Sequence, residues 1–197
     1  MCGRFTLGDA SQLKTKYSFS WKPSFNIVPS QNIVVLVDNV EPTIKKWGFN
    51  PGWYRRNNCL INARVESLHV KPSFKEVLKC VVLADGWYEW AKTERRKVPY
   101  YHHDQGRLLF FGGIYNEMSG CAIVTCPSEG PSRYIHHRQP VLLNESEIGD
   151  WIRDSYLYLP NENTSIKVHE VSDRVNNPRN DFAENVEAVS SGSRRLI

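Results

Sequence analysis

The second residue of the chain is a cysteine, in the run Met1-Cys2-Gly3-Arg4-Phe5. A small residue at that position normally lets an initiator methionine be trimmed, which would set the Cys2 thiol beside a free α-amine. The amine titrates near pH ~7.7–8.0 and the thiol near ~8.5, so both have a reactive fraction at neutral pH. No internal residue can do what this pair does. The amine condenses with an aldehyde to an imine with loss of water, the thiol adds to the imine carbon, and a five-membered thiazolidine closes. Chain termini are often loose and uninformative, so the weight of Cys2 depends on what the rest of the chain places around it.

Four segments put polar chemistry in an apolar setting. In the first, Arg4 follows Gly3, and its planar fork suits a phosphate as well as it suits an ordinary surface ion pair. In the second, Asn62, Arg64 and Glu66 alternate within Ile61-Asn62-Ala63-Arg64-Val65-Glu66. On a strand these three share a face, which makes either a site or a solvent face. The third is Asp85-Gly86-Trp87-Tyr88-Glu89-Trp90. A carboxyl buried among aromatics has its pKa raised and can shuttle protons, whereas on an exposed edge strand it does nothing of the kind. The fourth, Ile135-His136-His137-Arg138-Gln139-Pro140-Val141, offers an imidazole that titrates near neutrality. Adjacent side chains in extended backbone diverge, so neither His136-His137 nor His102-His103 reads as a metal pair. Cys121 and Cys126, five apart in a predicted strand, face opposite sides, and no CxxC occurs. No metal and no cofactor is expected.

The elements that must position these groups are mostly strands. β-branched and aromatic runs bounded by Gly, Pro, Asn or Asp predict strands at 32–37, 60–64, 80–84, 87–91, 98–102, 108–115, 121–125 and 166–171. Helices are predicted at 73–79 and at 144–153, the latter behind an Asn cap. Consecutive strands favour antiparallel pairing. The expected architecture is α+β, a single compact domain over 1–189 built on a strongly curved, barrel-like, mostly antiparallel sheet with peripheral helices. A loose polar tail is expected over 190–197. A net charge of +4 agrees with nucleic-acid binding without requiring it. Five cysteines, no secretory signal and no membrane-length apolar run point to free thiols in the cytoplasm and to no membrane partner.

Taken together the segments resemble the SOS-response-associated peptidase (SRAP) family of abasic-site-processing proteins. The resemblance runs from Cys2 to about Asn177, through Phe25-Asn26-Ile27-Val28-Pro29, Trp47-Gly48-Phe49-Asn50-Pro51-Gly52-Trp53, Asn62-Ala63-Arg64, Pro72-Ser73-Phe74, Gly86-Trp87-Tyr88-Glu89-Trp90, Pro99-Tyr100, and His136, Arg138 and Pro140 to Val175-Asn176-Asn177. Each motif is weak alone; their order and spacing are specific. The resemblance implies a compact domain with a basic groove for single-stranded DNA, a monomer acting without a cofactor. In it Cys2 would attack the ring-opened aldehyde of an abasic deoxyribose and leave a thiazolidine DNA–protein crosslink. Asn62 would hold the terminal residue or the sugar, Glu89 would move protons during imine formation, and His136 would assist ring opening and crosslink reversal. Arg4, Arg64 and Arg138 would bind phosphates, and the loop carrying Trp47, Pro51 and Trp53 would prop against bases. The same resemblance implies lyase-like chemistry and peptidase-type removal of Met1. Two positions depart from the family: His137 stands where an acidic residue is usual, and Gln139 where a methionine is. Two other functions fit the residue types: a self-processing cysteine peptidase using Cys2, His136 and Glu89, and a non-catalytic reader of single-stranded DNA by aromatic stacking.

Overall fold

The computed structural model describes residues 2–38, 40–50, 59–74, 77–154 and 165–189. Among these residues the chain forms, in order, β1 (Phe5–Leu7), α1 (Ser11–Tyr17), β2 (Ser24–Ile27), β3 (Asn32–Val37), β4 (Glu41–Lys46), β5 (Asn62–Arg64), β6 (Leu78–Ala84) and β7 (Gly86–Lys92). It continues with β8 (Lys97–His103), β9 (Leu109–Asn116), β10 (Gly120–Pro127), β11 (Arg138–Pro140), β12 (Leu142–Leu143), α2 (Ile148–Ile152) and β13 (Lys167–Glu170). Short 3₁₀ turns connect several of them.

Two sheets result. One runs β13-β8-β7-β1-β2, with antiparallel pairing throughout. The other runs β11-β10-β9-β6-β3-β4, with β12 added on β9 and β5 added in parallel on β10. Among the described residues the end strands of neither sheet pair with each other, so the barrel-like expectation is corrected: neither sheet closes on itself or curls strongly. Closure is replaced by packing of one sheet on the other, which buries both apolar faces equally well. Phe5 of β1 meets Phe111 of β9 edge-on at 6.2 Å, and Trp87 of β7 meets the same ring at 5.8 Å and 88°. Leu7, Val34, Val81 and Ile123 lie in that shared core. The crossing from β6 to β7 between the sheets takes a single residue, Asp85. Its carboxylate accepts the backbone N–H groups of Gly8 and Asp9 at 2.6 and 2.8 Å and the Thr6 hydroxyl. That satisfied, buried acid fixes the corner and with it the position of β1.

The strand predicted at 32–37 is found as predicted, and the others differ by one or two residues at one or both ends. The segment 60–64 shortens at its start to β5, and after Arg64 the chain turns into a 3₁₀ helix, Val65–Ser67; Glu66 therefore leaves the strand face it was expected to share with Asn62 and Arg64. The helix expected over 73–79 is replaced by a 3₁₀ turn, Pro72–Phe74, and by the start of β6 at Leu78. The helix expected over 144–153 is found as a 3₁₀ turn, Glu145–Glu147, running into α2. At its start Glu147 accepts the Asn144 backbone N–H at 2.7 Å. Sequence reading missed β1, α1, β2, β4, β11 and β12, which are short or, like β4, half-exposed and carrying a proline, Pro42. The tail 190–197 lies outside the described residues.

Candidate active site

β1 brings the amino-terminal segment into the protein as a central strand between β2 and β7. Its pairing carries Cys2 inward: Tyr88 donates its backbone N–H to the Arg4 carbonyl at 2.9 Å. Cys2 is fully buried. The Asn62 side-chain amide donates from Nδ2 to the Cys2 carbonyl at 2.7 Å, across sixty residues of sequence. β5 presents Asn62 because it lies in register with β10, Asn62 opposite Ile123 and Arg64 opposite Thr125. The other end of the amide, Asn62 Oδ1, is buried and accepts no hydrogen bond from the described residues. It is an unsatisfied acceptor on the side chain that holds Cys2.

Glu89 reaches the same place from β7 and is only 4% exposed. Burial raises its pKa, opposed by the positive charge of the amino terminus. Burial likewise pushes the Cys2 thiol far up, and the Glu89 carboxylate adds to that push. The site thus holds a thiol kept protonated and a carboxyl inclined to hold a proton.

β11 pairs with the far half of β10 and so carries His136 to the other flank of the strand that holds Asn62. His136 Nδ1 lies 3.0 Å from the Arg138 backbone nitrogen and 3.1 Å from the Arg138 carbonyl, accepting from the one or donating to the other according to its tautomer. Partial burial is the main cause that lowers the pKa of His136. The rings of His136 and His137 stack, centroids 4.3 Å apart at 29°. Their expected divergence is corrected: the backbone leaves the 3₁₀ turn Gly130–Tyr134 with Ile135 still in a helical conformation, and His136 N–H bonds back to Ser132, so it is not extended here. No group of three or more metal-ligating side chains occurs among the described residues.

The three arginines divide. Arg64 is exposed at the end of β5. Arg4 is committed inside the protein: it donates to Asn26 Oδ1 at 2.8 Å and to the Val175 carbonyl, and lies 5.6 Å over the Trp90 ring. Arg138 has a buried stem and gives a bidentate pair to Glu66 at 2.6 and 3.0 Å plus a bond to the Thr125 carbonyl. Trp47, expected to meet bases, is instead wholly buried; it donates its indole N–H to the Ile61 carbonyl at 3.0 Å and packs on Phe5. A large aromatic beside β4 is worth more in the core than on the surface, and its one polar group is satisfied there. Pro51 and Trp53 lie outside the described residues.

Sequence reading gave no role to Asn26, yet it organises this flank. Its amide Nδ2 donates to the carbonyls of Asn177 and Asn180 at 3.1 and 2.7 Å, while Oδ1 takes Arg4. The signal was present in Phe25-Asn26 and Val175-Asn176-Asn177, whose polar residues inside apolar runs hold each other and Arg4.

Fold and site define a two-sheet α+β protein whose second residue is buried, its carbonyl held by the Asn62 amide and its thiol under the influence of the Glu89 carboxyl. A family profile described as SOS response associated peptidase (SRAP) matches residues 1–178, and the chain belongs to that family. It is 30% identical to abasic site processing protein YoaM of Bacillus subtilis over 95% of this chain and 98% of the relative. It is 27% identical to abasic site processing protein YedK of Escherichia coli over 78% and 80% of the two chains. A crystal structure of a Bacteroides thetaiotaomicron protein shares the fold, with a TM-score of 0.80 at 18% identity, covering 96% of this chain and all of that one.

Proposed function

We propose that this chain processes abasic sites in single-stranded DNA by forming a thiazolidine crosslink through Cys2 once Met1 is removed. The observation that carries the reading is the hold on Cys2: its carbonyl is pinned by Asn62 while its thiol is buried beside Glu89. A structural cysteine needs neither the amide clamp nor the acid.

In this scheme a base, His136, takes the proton of the C1 hydroxyl of the closed sugar. The C1–O4 bond breaks, O4 takes up a proton, and the aldehyde is free. The Cys2 amine adds to C1 to give a carbinolamine. Glu89 protonates its hydroxyl, water leaves, and an iminium forms. The buried thiol is a poor nucleophile while protonated. The positive iminium beside it makes loss of its proton easier, so imine formation precedes sulfur attack. Sulfur bonds to C1, the nitrogen keeps the electron pair of the former C=N bond, and the ring closes. Asn62 Oδ1 is available to accept from the terminal amine or from a sugar hydroxyl. Arg64 and Arg138 serve the flanking phosphates, and Arg4 acts from behind the site by fixing the strand that carries Cys2.

Incubating Met1-free protein with a single-stranded oligonucleotide holding one abasic site, followed by a denaturing gel, tests this reading. A shifted band that persists in denaturant is expected. Binding that vanishes on denaturation would instead mean a non-catalytic reader, and Met1 removal without any DNA adduct would mean a self-processing peptidase.

A further inference from the structure

We propose that His137 is a positioning residue for His136, taking up the proton that the pair can share and leaving His136 neutral. This rests on the reading of His136 as the base at the abasic sugar, and it assigns a task to a side chain that touches no reacting atom.

The geometry is fixed from several directions. The two rings lie 4.3 Å apart, within 29° of parallel. His136 is tied by its own N–H to the Ser132 carbonyl at 3.1 Å and by Nδ1 to the Arg138 backbone. His137 is tied by its carbonyl, which accepts the Ser128 N–H at 3.1 Å. The stack is therefore held by backbone on both sides. Two imidazolium charges so close repel, so the pair takes one proton readily and a second only at much lower pH. Solvation decides which ring takes the first. His137 is exposed and can carry its charge in water, whereas His136 is half-buried and would carry it against desolvation.

Repulsion from the other ring is the main cause that lowers the pKa of His137. Arg138, next in the chain, and the amino terminus are positive and disfavour charge on either ring, and Arg64 from β5 disfavours it on His137. Glu89 from β7 is felt by His137 only once its own carboxyl has lost its proton. An acidic side chain at position 137 would do the reverse and stabilise a charged His136.

The test needs no DNA. Ring signals of His136 in the free protein are followed by NMR through about pH 5 to 8, in the wild type, in His137→Phe and in His137→Asp. His137→Phe keeps a stacked ring without the charge, and the His136 midpoint should rise by roughly half a unit to one unit. With His137→Asp the rise should be larger. A midpoint that stays within about 0.2 unit in both variants, well inside the span such charges produce, would overturn the proposal. The acid limb of the crosslinking rate is measured on the same variants and should move with the midpoint. A midpoint that moves while the limb stays still would leave the coupling of the two rings standing and overturn the role of His136 as base, which separates the two failures.

Discussion

At the scale of the residue, Cys2 and Glu89 are buried together. Burial raises both, and the Glu89 carboxylate makes the negative form of Cys2 harder still to reach. A carboxyl held above its usual range is a proton donor at a pH where free glutamate is a base. Glu89→Gln should therefore slow crosslinking by about 10²–10⁴-fold, the usual size of a general-acid contribution, in a time course at neutral pH. The sign of the pH dependence follows from the direction of the shift. The contribution is present while the carboxyl is protonated and fades as pH rises through its raised value, so wild type and Glu89→Gln should converge in alkaline buffer. Rates that differ by the same factor at every pH would mean that Glu89 acts by shape, not by its proton.

At the scale of the element, β10 is the strand that assembles the site, because β5 and β11 both use it as a template. Arg138 bridges the two, with Glu66 occupying its fork as a phosphate would. Glu66→Gln should release that fork at a stability cost of about 1 kcal/mol or less, since Glu66 is half-exposed. Binding of intact single-stranded DNA should tighten, and the slope of log affinity against log salt should steepen by roughly 0.7, one phosphate contact. An unchanged slope would mean that Arg138 stays bound within the protein when DNA arrives. Such partners explain what the sequence could and could not disclose. β3 was legible because Ile-Val-Val-Leu-Val is a local pattern. Asn62, Glu89 and His136 stood out because each is polar in an apolar run. The internal commitments of Arg4 to Asn26 and Val175, and of Arg138 to Glu66, join residues far apart in the chain, and no local period records them. Trp47 was misplaced for the same reason: only the position of β1 shows that its ring is needed in the core.

At the scale of the whole molecule, two open sheets share one core, and a buried histidine makes that core sensitive to acid. His102 of β8 is fully buried and stacked on Trp87 at 4.6 Å. Burial is the main cause that lowers its pKa to about 3, against an ordinary value near ~6.5. Between those limits the unfolded chain binds a proton that the folded one refuses. This contribution to stability is intact above about pH 6.5 and is lost as pH falls, on the order of 1.4 kcal/mol per unit. Denaturant unfolding at pH 7 and pH 5 should show that loss in the wild type and a smaller one in His102→Phe, which keeps the stack; equal losses would place the acid sensitivity elsewhere. The same fold buries Cys2 against Asn62 and Glu89, and the central claim is that this arrangement makes a thiazolidine. Intact mass of the species formed with an abasic single strand tests it most directly. The account predicts a mass equal to Met1-free protein plus DNA less one water, stable without borohydride, and an adduct of Cys2→Ala that survives only after borohydride reduction. An adduct on wild-type protein that likewise needs borohydride, or one that forms with Met1 still attached, would contradict it.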